Sequence, residues 1–326
     1  MKKVLIAILL LGLLPHASAD YIHWVDFRLS APVLRSALEL DMASQGGEQP
    51  LDWIDILALA AAWRGGTGVT VADTQRAAQA LRGDTPPERL PGMAGRYFSY
   101  YREAYGAALG GLAGHFAIRR TDPQTGEAEW IPAYGLKAFS PIAAGYFWSH
   151  YPDFGAQRSY GYARPHLGND ILGALGTPIC AVEGGTVEAL GWNRYGGWRI
   201  GIRSDDRKRY YYYAHLRKDT PYAEGLAVGQ RVQAGEVIGF MGRTGYSAQE
   251  NVNNIETVHL HFGLQLIFDE SQKECDSEIW IDVYPIIELL ASHCSSVARD
   301  PQTGRWERLY PYCDLDAEPL RSAAAR

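Results

Sequence analysis

The sequence predicts an α+β protein in which a small helical domain precedes a mainly antiparallel β domain. Helical periodicity of apolar residues fills the first third of the chain, and near Phe116 it gives way to short segments separated by turns. Turns that contain glycine then recur along the chain, which favours antiparallel hairpins. With 326 residues and 47% hydrophobic side chains, the chain has room for about two domains.

The first nineteen residues have the three-part pattern of a cleaved secretory signal. Lys2 and Lys3 precede an apolar run from Val4 to Leu14, and Ala17-Ser18-Ala19 forms a small-residue cleavage site. Eleven apolar residues are too few to cross a bilayer. We therefore expect residues 1–19 to be removed, leaving an extracytoplasmic chain with no stable membrane span. An uncleaved membrane anchor is the alternative.

The charge of the chain argues against one class of partner. The formal net charge is -6, and it becomes more negative once Lys2 and Lys3 are removed. An acidic chain gives no electrostatic support to nonspecific nucleic-acid binding, so no nucleic-acid partner is expected.

The four cysteines are Cys180, Cys275, Cys294 and Cys313, and export would permit disulfides among them. Cys180 lies in the apolar run PICAV, which favours a buried free thiol. The other three lie near the carboxyl end, where two of them can pair. The sequence does not choose among the pairings.

Residues 20–115 are predicted to form the helical domain, whose role the sequence leaves open. Four helical stretches begin near Ser30, Leu51, Ala72 and Arg96. Ser30 is a plausible N-cap with a proline in the first turn, and the second stretch closes at a pair of glycines.

The β domain is predicted over residues 116–270, with a cysteine-containing C-terminal extension at 271–326. Its turns are expected at Gly126, at Gly184-Gly185, at Asp205-Asp206 and at Gly235. The DPQTG sequence that surrounds Gly126 recurs near the end of the chain, so the same local turn is expected twice.

Five polar residues in three short patterns are the candidates for chemistry. They are His166 and Asp170 in HLGND, His215 in YYAHL, and His259 with His261 in VHLHF. Alternate residues of a strand share a face, so the last two should lie roughly 6 to 7 Å apart on one side of the sheet.

Two imidazoles and one carboxylate suit a catalytic zinc site, which keeps an open position for water. His166, Asp170 and His261 supply that set, and Gly168 would provide the bend that lets the first two converge. His215 and His259 remain for proton transfer and for a developing oxyanion.

The period of two also predicts that the tyrosines at 211 and 213 share a face with His215. In that arrangement one of these tyrosines could assist at the oxyanion.

These blocks resemble the M23, or lysostaphin-like, family of zinc metallopeptidases. The resemblance covers about residues 160–268 and follows HLGND, GTPICAVEGGTVEALGWNRYGGWRIGIRS, YYYYAHL, VGQRVQAGEVIGFMGRTGYS and HLHF in order. It implies a small antiparallel β domain with a groove, and a secreted endopeptidase that cleaves peptidoglycan cross-links or stem peptides. It also implies one Zn²⁺ held by His166, Asp170 and His261, with His215 and His259 as catalytic histidines.

Three features depart from the common family pattern. The segment AQENVNNIETV separates Ser247 from His259, where family members often run almost directly into HLH. Gly263 stands where the family often has an acidic residue. The helical domain and the C-terminal extension lie outside the resemblance.

Two alternatives to a constitutively active peptidase stay open. The chain could be a scaffold that binds cell wall or a partner and retains its metal site, as degenerate family members suggest. It could also be a zymogen in which the helical segment from Ser30 to about Gly114 covers the groove. The bond cleaved and the identity of the general base are not fixed by the sequence, although we favour His259 as the base.

Overall fold

The fold was analysed on a computed structural model that describes residues 21–273 and 277–317. The predicted signal at 1–19 and Cys275 lie outside the described residues. Within the described parts of the chain, no helix is both long and apolar enough to cross a membrane.

The α+β class is confirmed, with helices concentrated at the amino-terminal end. The helices are α1 (Ala31–Ser44), α2 (Trp53–Arg64), α3 (Val71–Leu81), α4 (Met93–Leu109) and α5 (Tyr284–Leu290). Asp52 caps α2 by accepting a hydrogen bond from the backbone of Ile54, and Gly65 closes it in the left-handed conformation. Thr70 and Asp73 form a reciprocal capping box at the start of α3.

Helix α2 is the centre of the helical domain. Ile56 to Ala62 are all fully buried, which is why its sequence is apolar on every side. It packs mainly against α4, with α1 and α3 on other sides.

The strands of the protein follow the helical domain and continue into the C-terminal extension. They are β1 (Ala113–Thr121), β2 (Ala128–Leu136), β3 (Trp148–His150), β4 (Gln157–Tyr160), β5 (Tyr162–Pro165), β6 (Asn169–Gly173), β7 (Pro178–Cys180), β8 (Gly185–Asn193), β9 (Gly197–Ser204), β10 (Arg209–Ala214), β11 (Arg231–Val232), β12 (Val237–Phe240), β13 (His259–Leu266), β14 (Ile279–Trp280), β15 (Val297–Arg299), β16 (Trp306–Arg308) and β17 (Tyr312–Asp314). The central sheet has the order β11-β8-β9-β10-β13-β6-β3, and β14 also pairs with β13. All its pairings are antiparallel, as predicted.

A separate three-stranded sheet joins the first hairpin after the helices to the carboxyl end of the described chain. The hairpin β1–β2 turns at Gly126, as expected, and β17 adds to its other side. The predicted extension therefore contributes a strand to the hairpin that begins the predicted β domain.

The two DPQTG turns have the same internal hydrogen bonds. Oδ1 of Asp122 accepts hydrogen bonds from the backbone N–H groups of Gln124 and Thr125. Oδ1 of Asp300 accepts in the same way from Gln302 and Thr303 in the second turn. Gly126 and Gly304 each adopt positive φ, at 74° and 75°. One sequence thus gives one turn at both places.

The bends at Gly184-Gly185 and at Gly235 are present, but neither joins paired strands. The segment before the first bend, β7, pairs with β12, whereas β8 after it pairs with β9 and β11. The first bend therefore carries the chain from a small sheet into the central sheet, and the bend at Gly235 carries it from β11 of the central sheet back to β12 of the small one. A hairpin was expected at both places. The sequence pattern of two alternating strands around a glycine turn is the same whether the second strand pairs with the first or joins another sheet.

The helical domain docks on the central sheet through a buried charge pair. Arg209 is 1% exposed, and its Nε lies 2.7 Å from Oε2 of Glu183. The same guanidinium donates to the carbonyl oxygen of Ala107, at the carboxyl end of α4. A cation at that end of a helix complements the helix dipole.

Cys180 is a fully buried free thiol, as predicted, and burial raises its pKa to about 12. Cys294 is a free thiol as well. The pairing of Cys275 lies outside the described residues.

Candidate functional site

Antiparallel pairing of β6 with β13 brings two of the predicted metal ligands side by side. Asp170 is the register partner of His261, and Leu172 is the partner of His259. Directly opposed residues lie on the same face of a sheet, so both histidines and the aspartate face one side.

His166 reaches the same point from the segment just before β6. Its Nε2 lies 3.0 Å from Oδ1 of Asp170 and 2.8 Å from Nδ1 of His261, and the last two atoms are 3.1 Å apart. The chain approaches His261 closely at Gly168, where an added Cβ would lie 2.7 Å from Cε1 of that imidazole. Any larger residue at 168 would push the two ligand-bearing segments apart.

The three donor atoms fit a zinc ion. Two imidazole nitrogens and one carboxylate oxygen are ligands that zinc accepts in catalytic sites. Donors held about 2.0 to 2.1 Å from one tetrahedral ion would lie about 3.3 Å from one another. The observed separations are a few tenths of an ångström shorter, so a small expansion would admit the ion.

Asp153 and Arg158 orient the donors from behind. Nδ1 of His166 lies 3.1 Å from the carbonyl oxygen of Asp153 and 3.2 Å from its Oδ2, so this nitrogen carries the proton and Nε2 is left as the donor atom. Nη2 of Arg158 donates to Oδ2 of Asp153 at 2.9 Å and to Oδ2 of Asp170 at 3.0 Å. Asp170 is thereby left with Oδ1 toward the donor set. The sequence analysis missed both residues, because no spacing pattern connects them to HLGND.

Hydrogen bonds and charges within this cluster shift the pKa values of its acidic and basic side chains strongly. Burial alone would raise the pKa of Asp170, but hydrogen bonds to His166 and His261 outweigh it and hold the pKa well below its usual range. Burial would lower the pKa of His166, and its hydrogen bonds to Asp153 and Asp170 instead raise it to about 9. The carboxylate is therefore ionised at neutral pH.

His215 faces the groove because the chain leaves the β conformation at this residue. Its φ is 61°, in the left-handed region that few residues other than glycine adopt, although histidine is enriched there with asparagine and aspartate. Nδ1 lies 2.9 Å from the carbonyl oxygen of Thr244, and a carbonyl can only accept, so the proton sits on Nδ1. Burial lowers the pKa of His215 well below its usual value, so the imidazole is neutral and Nε2 can accept a proton.

His259 is oriented in the same way. Its Nδ1 donates to the carbonyl oxygen of Thr257 at 3.0 Å, which leaves Nε2 without a proton when the ring is neutral. The rings of His215 and His259 lie 4.7 Å apart, centre to centre. Both are buried at 6% and 9% exposure, so a peptide in the groove would meet two imidazoles in a largely dry environment.

The prediction for the neighbouring tyrosines is wrong. Tyr211 and Tyr213 point into the core, where Tyr211 donates to Glu183 and the hydroxyl of Tyr213 accepts from the backbone of Val182. Tyr212 faces the groove instead, with its ring 5.9 Å from that of His261. The positive φ of His215 breaks the alternation on which the prediction relied.

All five predicted site residues line one groove with a volume of about 800 Å³. Its walls come from residues between Tyr151 and Trp280, and the long segment before His259 contributes Asn254 to Thr257. None of the described residues of α1 to α4 lines the groove. The helical domain therefore does not cover it as the zymogen hypothesis expects.

The chain was compared with known proteins once this geometry was in hand. Residues 164–274 match the model of peptidase family M23. The L-Ala–D-Glu endopeptidase of Bacillus subtilis is 41% identical over 124 residues, covering 38% of this chain and 36% of that protein. Lysostaphin of Staphylococcus simulans is 37% identical over 98 residues, covering 30% of this chain and 17% of that protein.

Among solved structures, the catalytic domain of lysostaphin from Staphylococcus simulans is 29% identical, with a TM-score of 0.33 over 44% of this chain and 92% of that domain. The chain thus spans little more than a third of the length of the first curated relative and less of lysostaphin. All five predicted site residues lie within residues 164–274, which are about a third of the chain. That segment is therefore similar to peptidase family M23.

Proposed function

We propose that this protein is a zinc metalloendopeptidase that hydrolyses peptide bonds of bacterial peptidoglycan outside the cytoplasm. The observation that carries the proposal is the convergence of His166, Asp170 and His261 beside two imidazoles with inward-facing Nε2 atoms. A binding scaffold has no need of those two oriented bases. The name of one curated relative, the L-Ala–D-Glu endopeptidase, supports the same class.

In the proposed mechanism the three ligands hold one Zn²⁺, which when bound polarises the scissile carbonyl and lowers the pKa of a water molecule. Asp153 and Arg158 keep His166 and Asp170 in position. Nε2 of His259, 3.7 Å from Oδ1 of Asp170, accepts the proton of the attacking water. His215, directly after β10, faces the same space, and once its Nε2 has taken up a proton it can donate a hydrogen bond to the developing oxyanion.

The test is digestion of purified, defined peptidoglycans by the zinc-loaded chain, with products identified by mass spectrometry. We expect new amino and carboxyl termini within stem peptides or cross-links, and none with the His259→Ala variant. A chain that holds one zinc yet leaves every peptidoglycan and muropeptide intact, while a control enzyme cuts them, would overturn the proposal. Product masses would also identify the bond.

The proposed location has a separate test. Expression of the full chain with a C-terminal tag should yield a processed protein outside the cytoplasm that begins at Asp20. An unprocessed amino terminus would contradict cleavage of residues 1–19.

A further inference from the structure

Arg199 lies on the groove face of the central sheet, two strands from the donor set. Ile200 pairs with Tyr213 and both point into the core, so Arg199 and Ala214, one position further along each strand, face the groove. Ala214 in turn pairs with His261. Neighbouring strands are about 4.8 Å apart, which puts the backbone of Arg199 about 10 Å from that of His261.

The side chain of Arg199 is unusual among the cations of the groove. Nε of Arg199 is buried and has no hydrogen-bond partner within the described residues. Two other cations that line the groove are paired, Arg158 with Asp170 and Lys273 with Glu188. A buried guanidinium donor without an acceptor costs free energy, so its natural complement is a ligand that brings one.

Arg164 adds a second guanidinium to the same groove from the hairpin β4–β5. Its guanidinium lies 4.7 Å from the ring centre of Tyr195 and 5.6 Å from that of Tyr246. It has no carboxylate partner in the described part of the chain, and its one side-chain hydrogen bond, to the carbonyl of Tyr160, is long at 3.5 Å. The tyrosine faces hold the cation in place and leave most of its donors available.

The two arginines act on the same patch of the groove. Tyr212 lies between the donor set and this patch, and the charges of both Arg199 and Arg164 reach it, opposing the rise in its pKa that burial causes. Both guanidinium groups therefore place positive charge in the groove near Tyr212, whose ring lies 5.9 Å from that of His261.

We propose that Arg199 and Arg164 bind a carboxylate of the peptide substrate. Guanidinium groups pair with carboxylates through two parallel hydrogen bonds, a geometry that an amide cannot match. At about 3.3 Å per residue, the 10 Å offset places this carboxylate about three residues from the scissile bond of an extended peptide. The site thus selects acidic peptides over uncharged ones such as glycine bridges. This inference rests on the proposed peptidase function of the groove.

The experiment uses two peptides that differ only in one group, a carboxylate or its primary amide, three residues from the scissile position. Binding to the zinc-loaded chain is measured by calorimetry at a temperature where turnover is slow, and kcat/KM is measured separately. Charge-assisted hydrogen bonds predict roughly tenfold or greater preference for the carboxylate in both measurements. Because the peptide could lie in the groove in either direction, two such pairs are used, one with the carboxylate on the amino side of the scissile bond and one with it on the carboxyl side.

Two variants make the test specific. Arg199→Gln should reduce the carboxylate preference to within about twofold, because binding of the carboxylate peptide weakens more than binding of the amide peptide. Arg194→Gln is the matched control, because Arg194 is exposed, lies five residues away and does not line the groove. It should leave the preference intact.

The outcomes separate this inference from the proposed function. Equal binding and equal cleavage of the two peptides by the unmodified chain would overturn the inference and leave the peptidase function standing. A preference that survives Arg199→Gln and Arg164→Gln together would overturn it as well. Discrimination in binding without any cleavage would support the subsite and count against the peptidase.

Discussion

Nε2 of His259 lies 3.7 Å from Oδ1 of Asp170, so one carboxylate oxygen faces both the candidate metal ligands and an imidazole outside that set. This closeness follows from the strand register, since His259 and His261 are two residues apart on β13 and Asp170 lies opposite the second. The proposed ligand His261 and the proposed base His259 are thus separated by one two-residue repeat of strand β13.

Removal of one donor should abolish metal binding. We expect the unmodified chain to bind one zinc and His261→Ala to bind none at micromolar concentration, because two donors hold zinc poorly. Metal analysis after gel filtration measures this. Stoichiometric zinc in the variant would show that the donor set is elsewhere.

Removal of a proposed catalytic imidazole should leave the metal in place. For His215→Ala and for His259→Ala we expect one zinc per chain and a fall in kcat of about 10² to 10⁴, the usual contribution of acid–base catalysis. His23→Ala, at an exposed position in the helical domain, is the matched control. If His215→Ala kept the binding and the biological role of the protein, the scaffold alternative would be favoured.

Asp153 should act through His166. In Asp153→Ala the Nδ1 proton of His166 loses its carboxylate acceptor and keeps only the backbone carbonyl, and Arg158 loses one of its two carboxylate partners. We expect zinc affinity to fall about 10- to 100-fold. A competition titration with a zinc-binding dye measures this. The control Asp205→Ala removes an exposed carboxylate far from the groove, and it should bind zinc as the unmodified chain does. Equal affinities would remove Asp153 from the site.

The buried pair of Arg209 and Glu183 should dominate the docking of the helical domain. Arg209→Met leaves the carboxylate of Glu183 buried without its cation, which costs about 3 to 5 kcal/mol of unfolding free energy. The double variant with Glu183→Gln should recover part of that loss. Urea unfolding followed by tryptophan fluorescence gives both values, and a loss below about 1 kcal/mol in the single variant would contradict the burial argument.

Acid should weaken the three-stranded sheet of β1, β2 and β17. Burial would raise the pKa of Asp316, but the hydrogen bond from Lys137 at 2.8 Å outweighs it and lowers the pKa. The folded pKa is therefore below the unfolded value of about 3.9, so this contribution to stability is complete above about pH 5 and is lost as the pH falls through the folded pKa.

The corresponding measurement is the urea midpoint between pH 6 and pH 3. Asp316→Asn should lose less stability over that range than the unmodified chain, while the exposed Asp84→Asn should match it. Identical slopes for all three proteins would remove Asp316 from the account.

Local sequence rules predicted the elements well where the residues themselves impose the geometry. The proline in the first turn of α1, the glycines after Arg64 and the two DPQTG turns act over a few residues, and each gave the expected element. Ser30 stands at the N-cap position as predicted, but its side chain makes no capping hydrogen bond. The juxtaposition of His166, Asp170 and His261 needs only the order of the blocks and the period of a strand.

Sequence rules failed where a residue's neighbours come from distant segments. Tyr212 rather than Tyr211 or Tyr213 faces the groove because His215 turns out of the strand, and nothing in YYAHL signals a positive φ. Asp153 contacts His166 through the folding of the loop between β3 and β4, which has no repeat to read. Nε of Arg199 has no hydrogen-bond partner among the described residues, and this follows from the placement of distant side chains that the local sequence does not indicate.

The left-handed backbone at His215 bears on how an uncleaved complex could be trapped for crystallography. Asparagine tolerates that conformation better than alanine, because its short polar side chain is enriched at positive φ. His215→Asn would remove Nε2 while keeping the turn that leads from β10 to Leu216. It is therefore the better choice for a stable, inactive protein with an intact peptide in the groove.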